Sequence, residues 1–232
     1  MSNIIIPKEL DMADKLALMN EDAQYEVGVD GEAESTALLC AADIKGRPGP
    51  PKVPKMFLSS ACVFNCAYCG NRCGREERTV YSHTSSELAK IAVDAAKRNG
   101  HGVFVSSAIH KNADYTQELL AECVRVMREE LFYYGYIHAK VMPGADPLLI
   151  EKTGKYANRL SVNIEVAQSS GYERIAKQKN KANILTPMGN IAEQIQSAQY
   201  DRRQFAVSQT TQLMAGSTGE DDRTIMTLSG AL

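Results

Sequence analysis

Three cysteines stand close together in Cys62-Val-Phe-Asn-Cys66-Ala-Tyr-Cys69, a C-x3-C-x2-C spacing placed directly after the apolar run Met56-Phe57-Leu58-Ser59-Ser60-Ala61. On a loop leaving a strand, such thiols can converge on one metal centre, and thiolate is the ligand that iron-sulfur clusters and zinc prefer. Structural zinc wants four protein ligands, commonly two pairs of cysteine or histidine. No second pair follows here, although Cys73 would complete a four-cysteine zinc site with Cys62, Cys66 and Cys69. Three cysteines on a [4Fe-4S] cluster instead leave one iron free to bind a substrate or cofactor. A third reading makes the thiols small apolar core residues, but offsets of four and three on a Gly/Asn-rich loop suit neither strand nor helix packing. Cys123 lies on an amphipathic pattern and reads as core; Cys40 and Cys73 stand outside the cluster spacing.

The elements that must position this loop follow from composition and periodicity. With 232 residues, 44% of them hydrophobic, the chain can bury a full core, and one α/β domain is the simplest count. No apolar run approaches about 18 residues, so no membrane span is expected. The start Met-Ser-Asn-Ile-Ile-Ile-Pro-Lys-Glu lacks the pattern of a signal peptide. A cytoplasmic location is therefore expected, and it suits a thiolate cluster that needs a reducing compartment. The net charge of -2 gives no overall electrostatic footprint for nucleic acid, while leaving room for a local basic channel. His83, His101, His110 and His138 form no metal-like spacing.

Residues 1–55 are the least regular and read as an N-terminal extension. A short helix is expected from Asp11, then an acidic Gly-containing stretch from Tyr25 to Ser35, then Gly46-Arg-Pro-Gly-Pro-Pro-Lys-Val-Pro, which cannot be helix. From 56 onward strands and helices alternate. Strands are expected near 56–61, 102–107, 135–141 and 160–166, with a fifth between Gln204 and Ala215. Thr84-Ser-Ser-Glu87 is a capping box opening a helix that ends in Lys97 and Arg98. A second helix is expected at 114–132, with Leu119, Leu120, Cys123, Val124, Met127 and Leu131 inward. Asp146-Pro147 has the cap-then-proline order of a helix running to about 156. A helical stretch near 170–177, a basic turn Lys177-Gln-Lys-Asn-Lys181, a helix opened by Thr186-Pro187 and a last helix from Gly219 carrying Ile225, Met226 and Leu228 complete the chain. Alternation at this interval implies βαβ units, a parallel sheet and working loops at the strand C-termini.

The cysteine cluster with Tyr68 at its penultimate position, C-x3-C-x-aromatic-C, resembles the signature of the radical S-adenosylmethionine (SAM) enzymes. Within that superfamily the chain resembles a bacterial family of radical SAM proteins assigned to DNA modification or repair and linked to a uracil-DNA-glycosylase-like partner. The residues carrying the likeness include Asp14-Lys-Leu-Ala-Leu, Cys62 to Arg72, Gly135-Tyr-Ile-His-Ala-Lys, Pro143-Gly-Ala-Asp-Pro147, Arg159-Leu-Ser-Val-Asn-Ile-Glu165, Gln178-Lys179 and Ile184-Leu-Thr-Pro-Met188. Spore photoproduct lyase is more distantly similar, at the Lys140 and Ser161 strand ends. The resemblance implies a partial TIM-type (βα) barrel. Five strands are visible over 56–232, and the sixth is expected to be missing because the apolar helical pattern stops at Leu232.

The resemblance further implies a [4Fe-4S] cluster on Cys62, Cys66 and Cys69 and SAM on its open iron. Reductive cleavage of SAM to a 5'-deoxyadenosyl radical follows, in service of DNA modification or repair, with flavodoxin or ferredoxin as electron donor. A tRNA, peptide or small-molecule substrate, or a non-enzymatic four-cysteine zinc protein, are the alternatives. Tyr68 would lie against the adenine. Ser106 and Ser107 would meet the SAM amino group, and Lys140 its carboxylate. Ser161, Asn163 and Glu165 would face the ribose from alternate positions of one strand, and Leu213 and Ala215 would line the adenine. Lys177, Lys179 and Lys181 could approach phosphates. Each residue has a structural alternative: strand-end serines, a rim lysine, Glu165 paired with Arg159, and a solvated Lys177–Lys181 turn.

Overall fold

Caps written in the sequence start most of the helices, and parallel pairing arranges what lies between them. The computed structural model describes residues 10–23, 40–41, 52–75, 79–99 and 102–232. Helix α1 (Met12–Ala23) begins at Asp11, whose carboxylate accepts the Asp14 N–H at 2.9 Å. Two short strands, β1 (Cys40–Ala41) and β2 (Lys52–Val53), pair antiparallel. The stretch from Tyr25 to Ser35 and the start of the proline-rich run, 46–51, lie outside the described residues.

The main sheet is parallel, in the order β3 (Lys55–Phe57), β4 (Val103–Ser106), β5 (Ile137–Lys140), β6 (Arg159–Ser161) and β7 (Ser208–Thr210). Between them run α2 (Ser85–Asn99), α3 (Ala113–Glu129), α4 (Pro147–Tyr156), and the pair α5 (Ser169–Ile175) and α6 (Lys181–Asp201); α7 (Asp222–Ala231) follows β7. Strand order matches chain order, so each crossover adds one neighbour and the sheet curls as an open, partial (βα) barrel of five strands among the described residues. Among them, no helix is long and apolar enough to cross a membrane.

Strand parity sorts the side chains. Met56, Val103, Val105, Ile137, Ala139 and Leu160 face the helices and are fully buried. The opposite face carries two rows. Register aligns Lys55, Phe104, His138, Arg159 and Ser208 in the first. The second, at the strand C-termini, holds Phe57, Ser106, Lys140, Ser161 and Thr210, with Ser106 one step beyond the Val105–Ala139 pair. Met19 of α1 is fully buried, and its sulfur accepts the Phe57 N–H at 3.3 Å, so part of the N-terminal segment completes the wall behind β3.

Several elements differ from their sequence expectation. The first strand is shorter than 56–61, because beyond Phe57 the chain leaves the parallel ladder and bridges antiparallel to Ser82 through Ser59. The fourth also ends early, at Ser161. There the Thr211 hydroxyl inserts, donating to the Val162 carbonyl at 2.7 Å and accepting the Ile164 N–H at 2.9 Å. The helix expected to open at Thr186-Pro187 begins earlier, with a reciprocal Asn180–Asn183 capping box. Proline inside a helix ordinarily costs about 3 kcal/mol or more, partly through the lost bond to the carbonyl four residues back. That carbonyl, on Asn183, accepts the Gly144 N–H at 2.7 Å instead, which ties the loop after β5 to α6. Helix α7 starts at Asp222 rather than Gly219. It buries no residue fully, and Met226 is exposed.

Two histidines are carried into this fold neutral. Burial pushes His83 down to about 4, with Lys15 acting in the same direction and Glu87 against it. His138 is pushed down to about 3 by burial, then by Lys140, Arg159 and Lys55. Both folded-state values lie below the unfolded value near 6.5, so the unfolded chain binds more protons and stability is lost as pH falls below about 6.5. Thermal unfolding followed from pH 7 to pH 5, above the carboxylate range, should show a falling midpoint, and His83→Leu should flatten that slope. An unchanged slope in the variant would remove His83 from this account.

Candidate functional site

The cysteine loop is held at its base by a small antiparallel clamp. His83 N–H donates to the Leu58 carbonyl at 2.8 Å and Ser60 N–H to the Tyr81 carbonyl at 3.1 Å, while Tyr81 N–H donates to the Ser60 hydroxyl at 3.1 Å. Ser82 and Ser59 share a hydroxyl contact of 2.5 Å. Above this base, Val63 N–H reaches the Ile109 carbonyl at 2.9 Å, beyond the end of β4, and Cys73 N–H closes the loop on the Phe64 carbonyl at 2.8 Å. The loop therefore stands over the C-terminal ends of β3 and β4.

Cys66 is buried, and Cys62 and Cys69 are half-buried. Burial pushes the Cys66 thiol up; the Lys179 ammonium opposes this, and Cys69 and Cys62 add to it. Two of the sulfurs receive backbone donors: Phe64 N–H to Cys62 Sγ and Asn71 N–H to Cys69 Sγ, each at 3.4 Å. Among the described residues, no group of three or more His, Cys, Asp or Glu side chains is spaced to hold a metal ion as they stand. The donor chemistry nonetheless fits an iron-sulfur cluster. Three thiols share one short loop, and N–H groups are directed at sulfur in the way that stabilises thiolate ligands and tunes their clusters. Cys123, read as core, is fully buried, and burial pushes its thiol up.

Beneath the loop lies the second row of the open sheet face. Ser106 is buried at the end of β4. Ser107, the next residue, is also buried, and its hydroxyl points to the Ser59 carbonyl at 3.5 Å. Lys140 donates to the Asn163 side-chain oxygen. Burial pushes its ammonium down to about 8, Glu165 pulls upward and Lys179 pushes further down. Ser161 is hydrogen-bonded to His138 Nε2 at 2.8 Å, and the His138 ring stacks on Phe104 with centroids 4.2 Å apart. Asn163 also donates to Gln212 at 3.3 Å.

Glu165 departs most from its sequence expectation. It is not a third alternate position of a continuous strand: its φ is +62°, and Val166 N–H folds back to the Ile164 carbonyl at 2.7 Å. A non-glycine residue held there costs roughly 1–3 kcal/mol, and the surroundings over-determine it. Glu165 N–H donates to Gln212, its carbonyl accepts from Met214 (both 2.9 Å), and the Tyr172 hydroxyl braces the Ile164 carbonyl at 2.7 Å. The partner of its buried carboxylate is Lys179 at 2.6 Å and not Arg159, whose guanidinium donates to Ser208. Lys179, only 11% exposed, is accordingly no member of a solvated turn. Its ammonium also donates to the Tyr68 hydroxyl at 3.2 Å and lies 6.0 Å from that ring's centre.

The structure thus brings Cys62, Cys66, Cys69, Tyr68, Lys140, Asn163 and Glu165 to one mouth, with Ser106 and Ser161 on its floor. Tyr68 is 43% exposed and reaches the mouth from the loop; burial of its hydroxyl and the Glu165 charge push its pKa up. Leu213, half-buried, bridges Glu165 in parallel, whereas Ala215 is exposed beyond it. Sequence reasoning missed what three residues contribute. His138 could have been found, two positions before Lys140 on the same face. Gln178, whose side-chain oxygen accepts the Asn65 N–H at 3.2 Å, and Lys179 belong to the basic turn and to the family likeness, but nothing local points to their contacts with the cysteine loop.

No family model matches the chain, and no curated protein matches it. Among solved structures, the crystal structure of HydG, a maturase of the [FeFe]-hydrogenase, aligns with a TM-score of 0.55 and 17% identity, over 75% of this chain and 37% of that one. The X-ray structure of the FeFe-hydrogenase maturase HydG from Carboxydothermus hydrogenoformans aligns with a TM-score of 0.50 and 16% identity, over 75% of this chain and 49% of that one. The chain therefore spans less than half the length of these neighbours. The likeness is one of fold: an open, partial (βα) barrel.

The environment of Lys140 makes a direct prediction. With lysine side chains isotopically labelled, one ε-carbon resonance should titrate near pH 8, well below the usual lysine range, and should vanish in Lys140→Met. A Lys140 resonance titrating at the ordinary value would show that this ammonium is solvated.

Proposed function

We propose that the protein is a radical SAM enzyme, with a [4Fe-4S] cluster on Cys62, Cys66 and Cys69 and SAM bound at the open iron. The observation that carries the reading is a three-thiol loop clamped over the C-terminal mouth of an open (βα) barrel, whose floor presents Ser106, Lys140, Ser161 and Thr210. The bound pair supplies one-electron reductive cleavage of a carbon–sulfur bond; the protein binds, orients and excludes water. Lys140, half-buried, supplies a cation for a carboxylate and is held in place by Asn163. Tyr68 covers the mouth from the cysteine loop. Flavodoxin or ferredoxin is the proposed electron donor.

DNA modification or repair is the finer proposal. It draws on the sequence resemblance and on a local charge pattern that the net charge conceals. Arg72 and Arg75 of the cysteine loop and Lys177 and Lys181 of the α5–α6 turn are exposed, and the Asn65–Gln178 hydrogen bond joins the two segments. A basic rim at a catalytic mouth suits a phosphate backbone. The uracil-DNA-glycosylase-like partner belongs to the same proposal.

Anaerobic reconstitution with iron and sulfide, followed by electron paramagnetic resonance (EPR) with and without SAM, tests the enzyme reading. A [4Fe-4S] signal that shifts on SAM addition is expected, and Cys73→Ala should retain it. Loss of metal in Cys73→Ala, with zinc bound by the parent protein, would establish the four-cysteine zinc alternative. For the substrate, the double change Lys177→Ala and Lys181→Ala should weaken DNA binding across sequences and reduce the slope of log affinity against log salt by about 2. Tighter binding of tRNA than DNA, or no salt dependence, would redirect the substrate.

A further inference from the structure

The turn between α5 and α6 is fastened to the cysteine loop at three points. Ala67 N–H donates to the Ile175 carbonyl at 2.7 Å, Asn65 N–H to the Gln178 side chain at 3.2 Å, and the Lys179 ammonium to the Tyr68 hydroxyl at 3.2 Å. Asn65, Ala67 and Tyr68 each adjoin a cluster cysteine in sequence. The same ammonium is paired at 2.6 Å with Glu165, and both side chains are nearly shielded from water, at 11% and 5% exposure. Glu165 is held in the left-handed region where glycine would be relaxed. Keeping a glutamate in that backbone conformation delivers a carboxylate to Lys179.

We propose that Glu165 and Lys179 form a charge-compensated clasp that fastens the cysteine loop and sets the reduction potential of the cluster it holds. The potential depends on the proposed radical SAM reading; the fastening does not. Net charge and hydrogen bonds around a cluster are the protein's main means of setting its potential. An isolated ammonium beside Cys66-Ala67-Tyr68-Cys69 would favour the reduced, more negative cluster, and an isolated carboxylate would disfavour it. Paired at 2.6 Å, the two charges oppose one another at the cluster. Lys179 and Glu165 are positioning residues in this scheme and need not touch the reacting atoms.

The pair makes predictions of opposite sign. In EPR-monitored redox titration of the reconstituted protein, Glu165→Gln leaves the ammonium uncompensated and should raise the midpoint. Lys179→Met strands a buried carboxylate and should lower it. A tenfold change in the oxidised-to-reduced ratio at fixed ambient potential corresponds to about 59 mV for a one-electron couple. The double variant should return close to the parent value, and Lys179→Arg should remain near it. Hydrogen exchange on the metal-free protein tests the fastening independently: the Ala67 amide should exchange roughly tenfold faster in Lys179→Met and at the parent rate in Lys179→Arg. Midpoints that stay fixed, or move the same way in both single variants, overturn the electrostatic half; unchanged Ala67 exchange overturns the clasp. A parent protein that assembles no cluster refutes the radical SAM reading and with it the electrostatic half, while the exchange experiment still decides the clasp.

Discussion

Because β3 to β7 pair in parallel and in register, a side chain's parity decides whether it meets the helices or the open mouth. Hydrophobic burial enforces that choice. Met56, Val103, Val105, Ile137, Ala139 and Leu160 are all withdrawn from water against the helical layer, and a one-residue slip in any strand would turn this set outward and a polar set inward. The row ending in Ser106, Lys140, Ser161 and Thr210 is thus fixed by packing on the other face of the sheet. The cysteine loop inherits its place from the same constraint, since it leaves the end of β3 and is clamped by Ser59, Ser60, Tyr81 and Ser82.

Charge is handled differently from apolar area. Lys140, Glu165 and Lys179 stand close enough for Lys140 to feel both neighbours. Unpaired buried charge is costly, and the fold meets that cost locally: Asn163 accepts from Lys140, while Glu165 and Lys179 form a close ion pair. The group as a whole keeps one excess positive charge, which suits an anionic ligand at the mouth. His138 and His83 show the opposite solution, entering the interior neutral.

Helix α6 links these parts. Its N-terminal turn follows Lys179, and the carbonyl freed by Pro187 accepts from Gly144 in the loop between β5 and α4. The strand end carrying Lys140 and the turn carrying Lys179 are therefore joined to the same short stretch of backbone. A proline that reads in sequence as a helix start is here a point of attachment between two loops of the mouth.

Local chemistry was legible without the fold. The cysteine spacing, the Thr84–Glu87 capping box with its reciprocal hydrogen bonds of 2.7 and 3.2 Å, the Asp146-Pro147 start and the alternation of strands with helices all depend on residues near one another in the chain. The sequence by itself therefore determined the α/β order, the parallel sheet and the candidate ligands Cys62, Cys66 and Cys69. What it could not contain were pairings across long separations. The Glu165–Lys179 ion pair, the Lys140–Asn163 and His138–Ser161 hydrogen bonds and the Asn65–Gln178 bond depend on strand register and on a left-handed turn at Glu165. Period-two alternation placed Ser161, Asn163 and Glu165 on one face, but the Thr211 hydroxyl ended the strand after Ser161, and only tertiary structure decides where a ladder stops.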